Sequence, residues 1–151
     1  MPAYRTIVVG TDGSATSFSA VDRAAAVAAD SGAELVIVCA YTPASREDIA
    51  EAEDALKDEA FLVRGWTPAE ETLRSAEERA VAAGARKVRT VAEDGPPVDV
   101  LRKAVRDAGA DLLVVGNRGL NTLSGRLLGS VPSDVARRAG VDVLIVHTTG
   151  R

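Results

Sequence analysis

The chain has 151 residues, with 22 acidic side chains against 18 basic ones, and an isoelectric point near 5.1; it offers no basic field for counterion release, so a nucleic acid partner is not expected. Hydrophobic residues at 46% and charged residues at 26% are ordinary globular usage, and aromatics at 3% leave no stacking platform for single strands. A single domain over 1–151 is expected, since a chain of this length buries most of its unfolded surface in one core.

RTIVVG at 5–10 reads as the first strand. A turn, TDGSATS, leads into a helix carrying Phe18, Val21, Ala25 and Ala28 on one face, and Gly32 stops it. ELVIVCA at 34–40 is the second strand, with Pro43 marking its exit. Residues 45–64 place Ser45 and Asp48 like a capping box before Gly65, but the sequence does not fix a structure over 42–66. Thr67 as cap, Pro68 at the first helical position and Glu70 at the third then predict a helix to Gly84, packing through Leu73, Ala76, Ala80 and Ala83. RKVRTVA at 86–92 is the third strand, GPPVDVLRKAVRDAG a turn and helix, and DLLVVG at 111–116 the fourth strand. SVPSDVARRAG predicts a short helix and VDVLIVH, 141–147, the fifth strand.

Short continuous runs of Val and Ile alternating with helical patterns are the mark of parallel strands covered on both faces. The expected fold class is therefore α/β: one open five-stranded parallel sheet of Rossmann-like type, with helices on both sides. In such sheets the ligand crevice lies beyond the carboxyl ends of the strands where the winding reverses. With strand order 3-2-1-4-5 that crevice falls between strands 1 and 4. Two loops then meet there, GTDGS at 10–14 and GNRGLNTLSGRLLGS at 116–130.

The second loop is unusual. Gly116, Gly119 and Gly129, followed by Ser130, come directly after an apolar strand and before a helix. Glycine lets a ligand approach main-chain N–H groups, successive N–H groups form an anion nest, and the next helix turns its positive end to the same crevice. Phosphate is the natural guest. Ser130 can cap the helix or donate to a phosphate oxygen, and Arg118 and Arg126 add positive charge. By composition such a pattern arises by chance in fewer than about 1% of chains this long; the alternative is that these glycines only serve turns. A P-loop is excluded, because no Gly-Lys-Ser/Thr occurs, and no G-x-G-x-x-G follows a strand.

The VVGTDGS turn, the GPPVDVL turn and DLLVVGNRGL with its distal LLGSV together resemble the universal stress protein family, over nearly all the chain apart from about 42–66. The pattern is most similar to actinobacterial members associated with cyclic AMP as well as ATP. The resemblance implies sheet order 3-2-1-4-5, in the adenine nucleotide alpha-hydrolase-like group of Rossmann-like folds, and an adenine nucleotide at the crevice. It places Gly10, Thr11, Asp12, Gly13 and Ala40 toward the adenosine end and Gly116 at the ribose. Arg118, Gly119, Gly129 and Ser130 then lie along the phosphates, with Val131 at the helix entrance; Asn117 and Arg126, on the same loop, complete the candidate nucleotide-binding residues.

Asp12 makes chemical sense there: a carboxylate repels a triphosphate but accepts from ribose hydroxyls or an exocyclic amine, or reaches phosphate through Mg²⁺. Its other reading is a cap for the first helix. Two positions depart from the family's usage. Asn117 stands where many members have Ser, and Gly10 stands where the nucleotide-binding branch often has Ala or Pro, a change expected to widen the space beside the base.

Fast catalysis is not expected. The single histidine, His147, falls at the end of the last strand, and no nucleophile, base and orienting group assemble around Ser130. A sensor or ligand reservoir is expected first; the alternatives are a slow ATP-hydrolysing enzyme and a dimeric interaction module with a vestigial nucleotide site. Strand 5 alternates Val143 and Ile145 with Leu144 and Val146, apolar on both faces at a predicted sheet edge, which together with the family resemblance suggests a homodimer through that strand.

The longest apolar runs, at 35–41 and 141–147, fall short of the roughly 20 residues that span a bilayer, and MPAYRTIVVG lacks a signal-peptide pattern, so a cytoplasmic protein without membrane partners is expected. Cys39, the only cysteine, is expected to be a small buried residue on its strand.

Overall fold

The computed structural model describes residues 2–41, 66–117 and 135–147. Strands β1 (Thr6–Gly10), β2 (Glu34–Tyr41), β3 (Lys87–Asp94), β4 (Leu112–Gly116) and β5 (Asp142–Val146) form one sheet in the order β3-β2-β1-β4-β5. Every pairing is parallel. Helix α1 (Ala15–Ser31) leads from β1 to β2, α2 (Trp66–Ala82) precedes β3, and α3 (Pro97–Ala108) leads from β3 to β4.

The alternation along each strand divides the core. Ile7, Val9, Leu35, Ile37, Cys39, Leu112 and Val114 face α1 and α2, whereas Val8, Val36, Val38, Leu113 and Val115 face α3 and Val135. Both faces of the central strands are thus buried, which is why their sequences read as unbroken apolar runs rather than as an alternation. Alanine dominates the helical stripes, with Ala20, Ala24, Ala25 and Ala28 on α1 against Ala69, Ala76 and Ala80 on α2. Small side chains let the two helices lie close to the sheet and to each other. An Arg79–Asp22 ion pair bridges the helices at their exposed edge, with the same guanidinium 5.3 Å from the centroid of the Phe18 ring.

The helix stops follow local chemistry. Gly32 and Gly109 adopt left-handed C-caps, at φ 69° and 65°, as glycine permits without a Cβ penalty. Pro97 occupies the first position of α3, where a missing N–H costs nothing. The start of α2 differs from expectation. It begins at Trp66, so Thr67 and Pro68 lie inside the first turn and Thr67 is not the cap. Proline is still tolerated there because first-turn N–H groups have no intrahelical acceptor. Its other end closes at Ala82, leaving Ala83 exposed, and Ala85 takes the buried place beyond it. The segment with Ser45 and Asp48 lies outside the described residues.

Candidate functional site

The crevice is created by unequal ladders. Pairing of β1 with β2 runs to Gly10↔Val38 and that of β4 with β5 to Gly116↔Val146, whereas the β1–β4 pairing stops at Val9↔Val114. Backbone hydrogen bonds carry the divergence one residue further: Thr11 N–H donates to the Val38 carbonyl at 2.9 Å and Asn117 N–H to the Val146 carbonyl at 3.0 Å. The exits of β1 and β4 therefore lean away from each other. At their amino ends the same two strands are clamped. The Asp111 carboxylate accepts from Arg5 N–H at 3.1 and 3.2 Å and from Thr6 N–H at 3.1 Å, and Asp111 N–H donates to the Thr6 carbonyl at 3.0 Å.

One wall of the crevice is the β1–α1 loop. Thr11 and Ser17 are buried, and their hydroxyl oxygens lie 2.7 Å apart. Ser17 Oγ donates to the Ser14 carbonyl at 3.0 Å, which uses its one proton, so the Thr11 hydroxyl must donate to Ser17. Ser17 Oγ also faces Asp12 N–H at 3.4 Å, Thr11 Oγ1 accepts from Gly13 N–H at 3.2 Å, and Asp12 Oδ1 accepts from Ser14 N–H at 2.9 Å. With Thr11 N–H on Val38, all four amides of residues 11–14 are engaged inside the protein. This loop is therefore not an anion nest. It presents the exposed Asp12 side chain, whose Oδ2 has no hydrogen-bond partner among the described residues.

The helix cap falls to Ser14, whose side chain accepts from Ser17 N–H at 3.1 Å, rather than to Asp12. Asp12 closes the tight turn just ahead of the cap, as Asp commonly does. Gly13 has φ +88°, and a Cβ there would stand 2.8 Å from Thr72 Oγ1 of α2. Glycine is required on both counts. Gly10 differs from expectation: the place of its missing Cβ lies 3.1 Å from Leu101 Cδ2 of α3, so the space freed by this glycine belongs to the Leu101 side chain.

Gly116 is buried at the end of β4 and Asn117 half-buried just beyond it; half-buried Ala40 lies two residues past the partner of Gly10 on β2. Cys39, one residue earlier, is buried on the opposite face. Burial, with a smaller contribution from the Asp12 charge, pushes its thiol up to about 11. The structure thus brings Gly10, Thr11, Asp12, Gly13, Ala40, Gly116 and Asn117 to the carboxyl ends of adjacent strands. Arg118, Gly119, Arg126, Gly129, Ser130 and Val131 lie outside the described residues.

Two residues that the sequence did not single out support the site, Ser17 and Thr72. Ser17 had a legible signal, since it stands three and four positions before Ala20 and Val21, in line with the buried stripe of α1. Thr72 had none, because its contact with Gly13 joins positions far apart in the chain.

Among the described residues no helix is long and apolar enough to cross a membrane, and no group of three His, Cys, Asp or Glu side chains could hold a metal ion.

The model of the universal stress protein family matches residues 3–147. Universal stress protein Rv1636 of Mycobacterium tuberculosis H37Rv is 56% identical over 149 residues, which cover 99% of this chain and 100% of the relative. A crystal structure of that protein superimposes with TM-score 0.62 at 49% identity, covering 99% of each chain. A crystal structure of a universal stress protein in complex with cAMP superimposes with TM-score 0.75 at 48% identity, covering 97% of this chain and 99% of the other.

Proposed function

The chain belongs to the universal stress protein family, and from that premise we propose that it binds an adenine nucleotide, ATP or cyclic AMP, across the crevice between β1 and β4. The observation that carries this reading is the early end of the β1–β4 ladder at Val9↔Val114, which parts the exits of the two strands at the reversal of strand order, where such sheets bind their ligands. The nucleoside end rests at Asp12 and Ala40, where a carboxylate oxygen is available to accept from a hydroxyl or amine. The phosphates extend past Gly116 and Asn117 toward Arg118, Gly119, Arg126, Gly129, Ser130 and Val131. The cAMP-bound relative at 48% identity supports the ligand class. Where ATP is the ligand, Mg²⁺ arrives with it and Asp12 is the carboxylate placed to reach it.

The role that fits is a cytoplasmic sensor or ligand reservoir rather than a fast enzyme. His147 is exposed at the end of β5, and the buried Cys39 thiol stays protonated at neutral pH and turned away toward α1 and α2. Neither is placed as a base or nucleophile at the crevice. Calorimetric titration of the purified protein with ATP and with cyclic AMP, with and without Mg²⁺, tests the reading. Saturable binding of at least one of them, with no more than trace release of ADP, is the expected result; absence of binding, or rapid turnover, refutes it.

A further inference from the structure

We propose that the buried Ser17 hydroxyl, held by Thr11, is a positioning residue that fixes which end of a nucleotide meets the β1–α1 loop. The proposal rests on the nucleotide reading of the crevice and adds the device that orients the ligand within it.

A loop of this kind, joining a strand to a helix amino end, ordinarily turns N–H groups toward the crevice and attracts anions. Here the amides are internally engaged. Thr11 N–H goes to Val38, Asp12 N–H to Ser17 Oγ, Gly13 N–H to Thr11 Oγ1 and Ser14 N–H to Asp12 Oδ1. Ser17 is the centre of this arrangement, because the same oxygen accepts from Thr11 Oγ1–H and donates to the Ser14 carbonyl. At 2% exposure for both Thr11 and Ser17, water does not readily replace either hydroxyl. The outcome is a loop that offers an acceptor, Asp12 Oδ2, and no free main-chain amide from residues 11–14. A phosphate group meets the like charge of Asp12 and no free amide of residues 11–14, whereas a ribose hydroxyl or an amino group meets an acceptor.

Removing the Ser17 hydroxyl takes the acceptor from Asp12 N–H and from Thr11 Oγ1–H, and the donor from the Ser14 carbonyl. The Asp12 amide and the Thr11 hydroxyl then lose their shared partner, and the Asp12 backbone its fixed placement, while Thr11 N–H stays on Val38 and Ser14 N–H on Asp12 Oδ1. Ser17 touches no ligand in this scheme; it acts through Asp12.

The test compares the wild-type protein with Ser17→Ala, Asp12→Asn and the double variant, using ATP, cyclic AMP and inorganic tripolyphosphate as probes. The expected result is a loss of about tenfold in affinity for the nucleotides that the wild type binds, the scale of one hydrogen bond to a charged group. Tripolyphosphate affinity stays unchanged, and Ser17→Ala adds nothing further in the Asp12→Asn background. A general packing defect would instead weaken all probes alike and add to Asp12→Asn, and that pattern overturns the positioning role. So does nucleotide affinity unchanged in Ser17→Ala. A wild type that binds neither nucleotide refutes the nucleotide reading itself and this proposal with it. If Ser17→Ala does not fold, Thr11→Val removes the partner hydroxyl at nearly constant shape, and Thr11→Ser restores it; the same nucleotide-specific loss and rescue are expected.

Discussion

Gly10 and Leu101 are complementary: the side chain that β1 lacks at its last position leaves room for Leu101 of α3, whose Cδ2 stands 3.1 Å from where a Gly10 Cβ would be. The final residue of β1, beside the crevice, is thereby tied to the helix on one face of the sheet. Gly10→Ala asks Leu101 to move by a few tenths of an ångström and is expected to cost up to about 1 kcal/mol, whereas Gly10→Val overpacks the same space at about 1–3 kcal/mol. Urea denaturation of both variants, repeated in a Leu101→Ala background, checks the origin of the cost. The Gly10→Val penalty shrinks in that background if Leu101 is the obstacle, and stays the same if it is not.

Gly13 carries two constraints that can be separated. Its φ of +88° disfavours any L side chain, and Thr72 Oγ1 stands 2.8 Å from the site of a Cβ. Gly13→Ala should destabilise the fold by about 2 kcal/mol, combining backbone strain and the contact. Thr72→Ala in the same molecule should recover only the contact part. Full recovery would mean the backbone tolerates alanine without strain, and no recovery would mean Thr72 is not the obstacle.

The Cys39 thiol, raised from its ordinary value of 9.0 to about 11 by burial and by the Asp12 charge, should react slowly with iodoacetamide at pH 8 and faster only as the pH approaches 11. The folded protein holds this proton more tightly than the unfolded chain does. The stability it contributes is therefore present below pH 9 and is lost as the pH rises through about 11. Asp12→Asn removes a charge that disfavours the thiolate and should move the alkylation profile to lower pH. A profile centred near 9 in the wild type would show the thiol to be less desolvated than its surroundings indicate.

Asp111 fastens the amino ends of β1 and β4 by accepting from Arg5 and Thr6 N–H groups. Asp111→Ala leaves those donors to water and should cost about 1–2 kcal/mol. Asp111→Asn keeps one acceptor oxygen and should cost less. Hydrogen exchange at the Thr6 amide reports the same loss locally, and an exchange rate equal to wild type in Asp111→Ala would contradict the clamp.

β5 lies at an edge of the sheet, with Ile145 39% exposed and Val143 and Leu144 half-buried. Our reading that two copies pair through this edge predicts a concentration-dependent dimer in sedimentation, converted to monomer by Ile145→Lys with nucleotide binding retained. Monomer at every concentration in the unaltered protein refutes it.

Much of this architecture was legible because it depends on neighbours in sequence. The buried strands announce themselves as runs such as LVIVC and LLVV, and Gly32, Gly109 and Pro97 mark helix ends through backbone geometry that each residue carries with it. The α2 start departs from the sequence expectation for the same reason: Thr67 and Pro68 form a good local cap signal, yet the helix begins two residues before Pro68, at Trp66. A tertiary setting can override a cap preference of about 1 kcal/mol.

The sequence by itself determined the alternation of strands and helices, the membership in the universal stress protein family, and the presence of Asp12 at the carboxyl end of β1. Only the tertiary structure decided what each small residue there is for. Gly10 makes room for Leu101 and Gly13 for Thr72. The physical reason is range: periodicity and caps act within a few residues along the chain. Steric fit at Gly10 and Gly13 depends on helices α3 and α2, which reach the end of β1 only once the sheet has assembled.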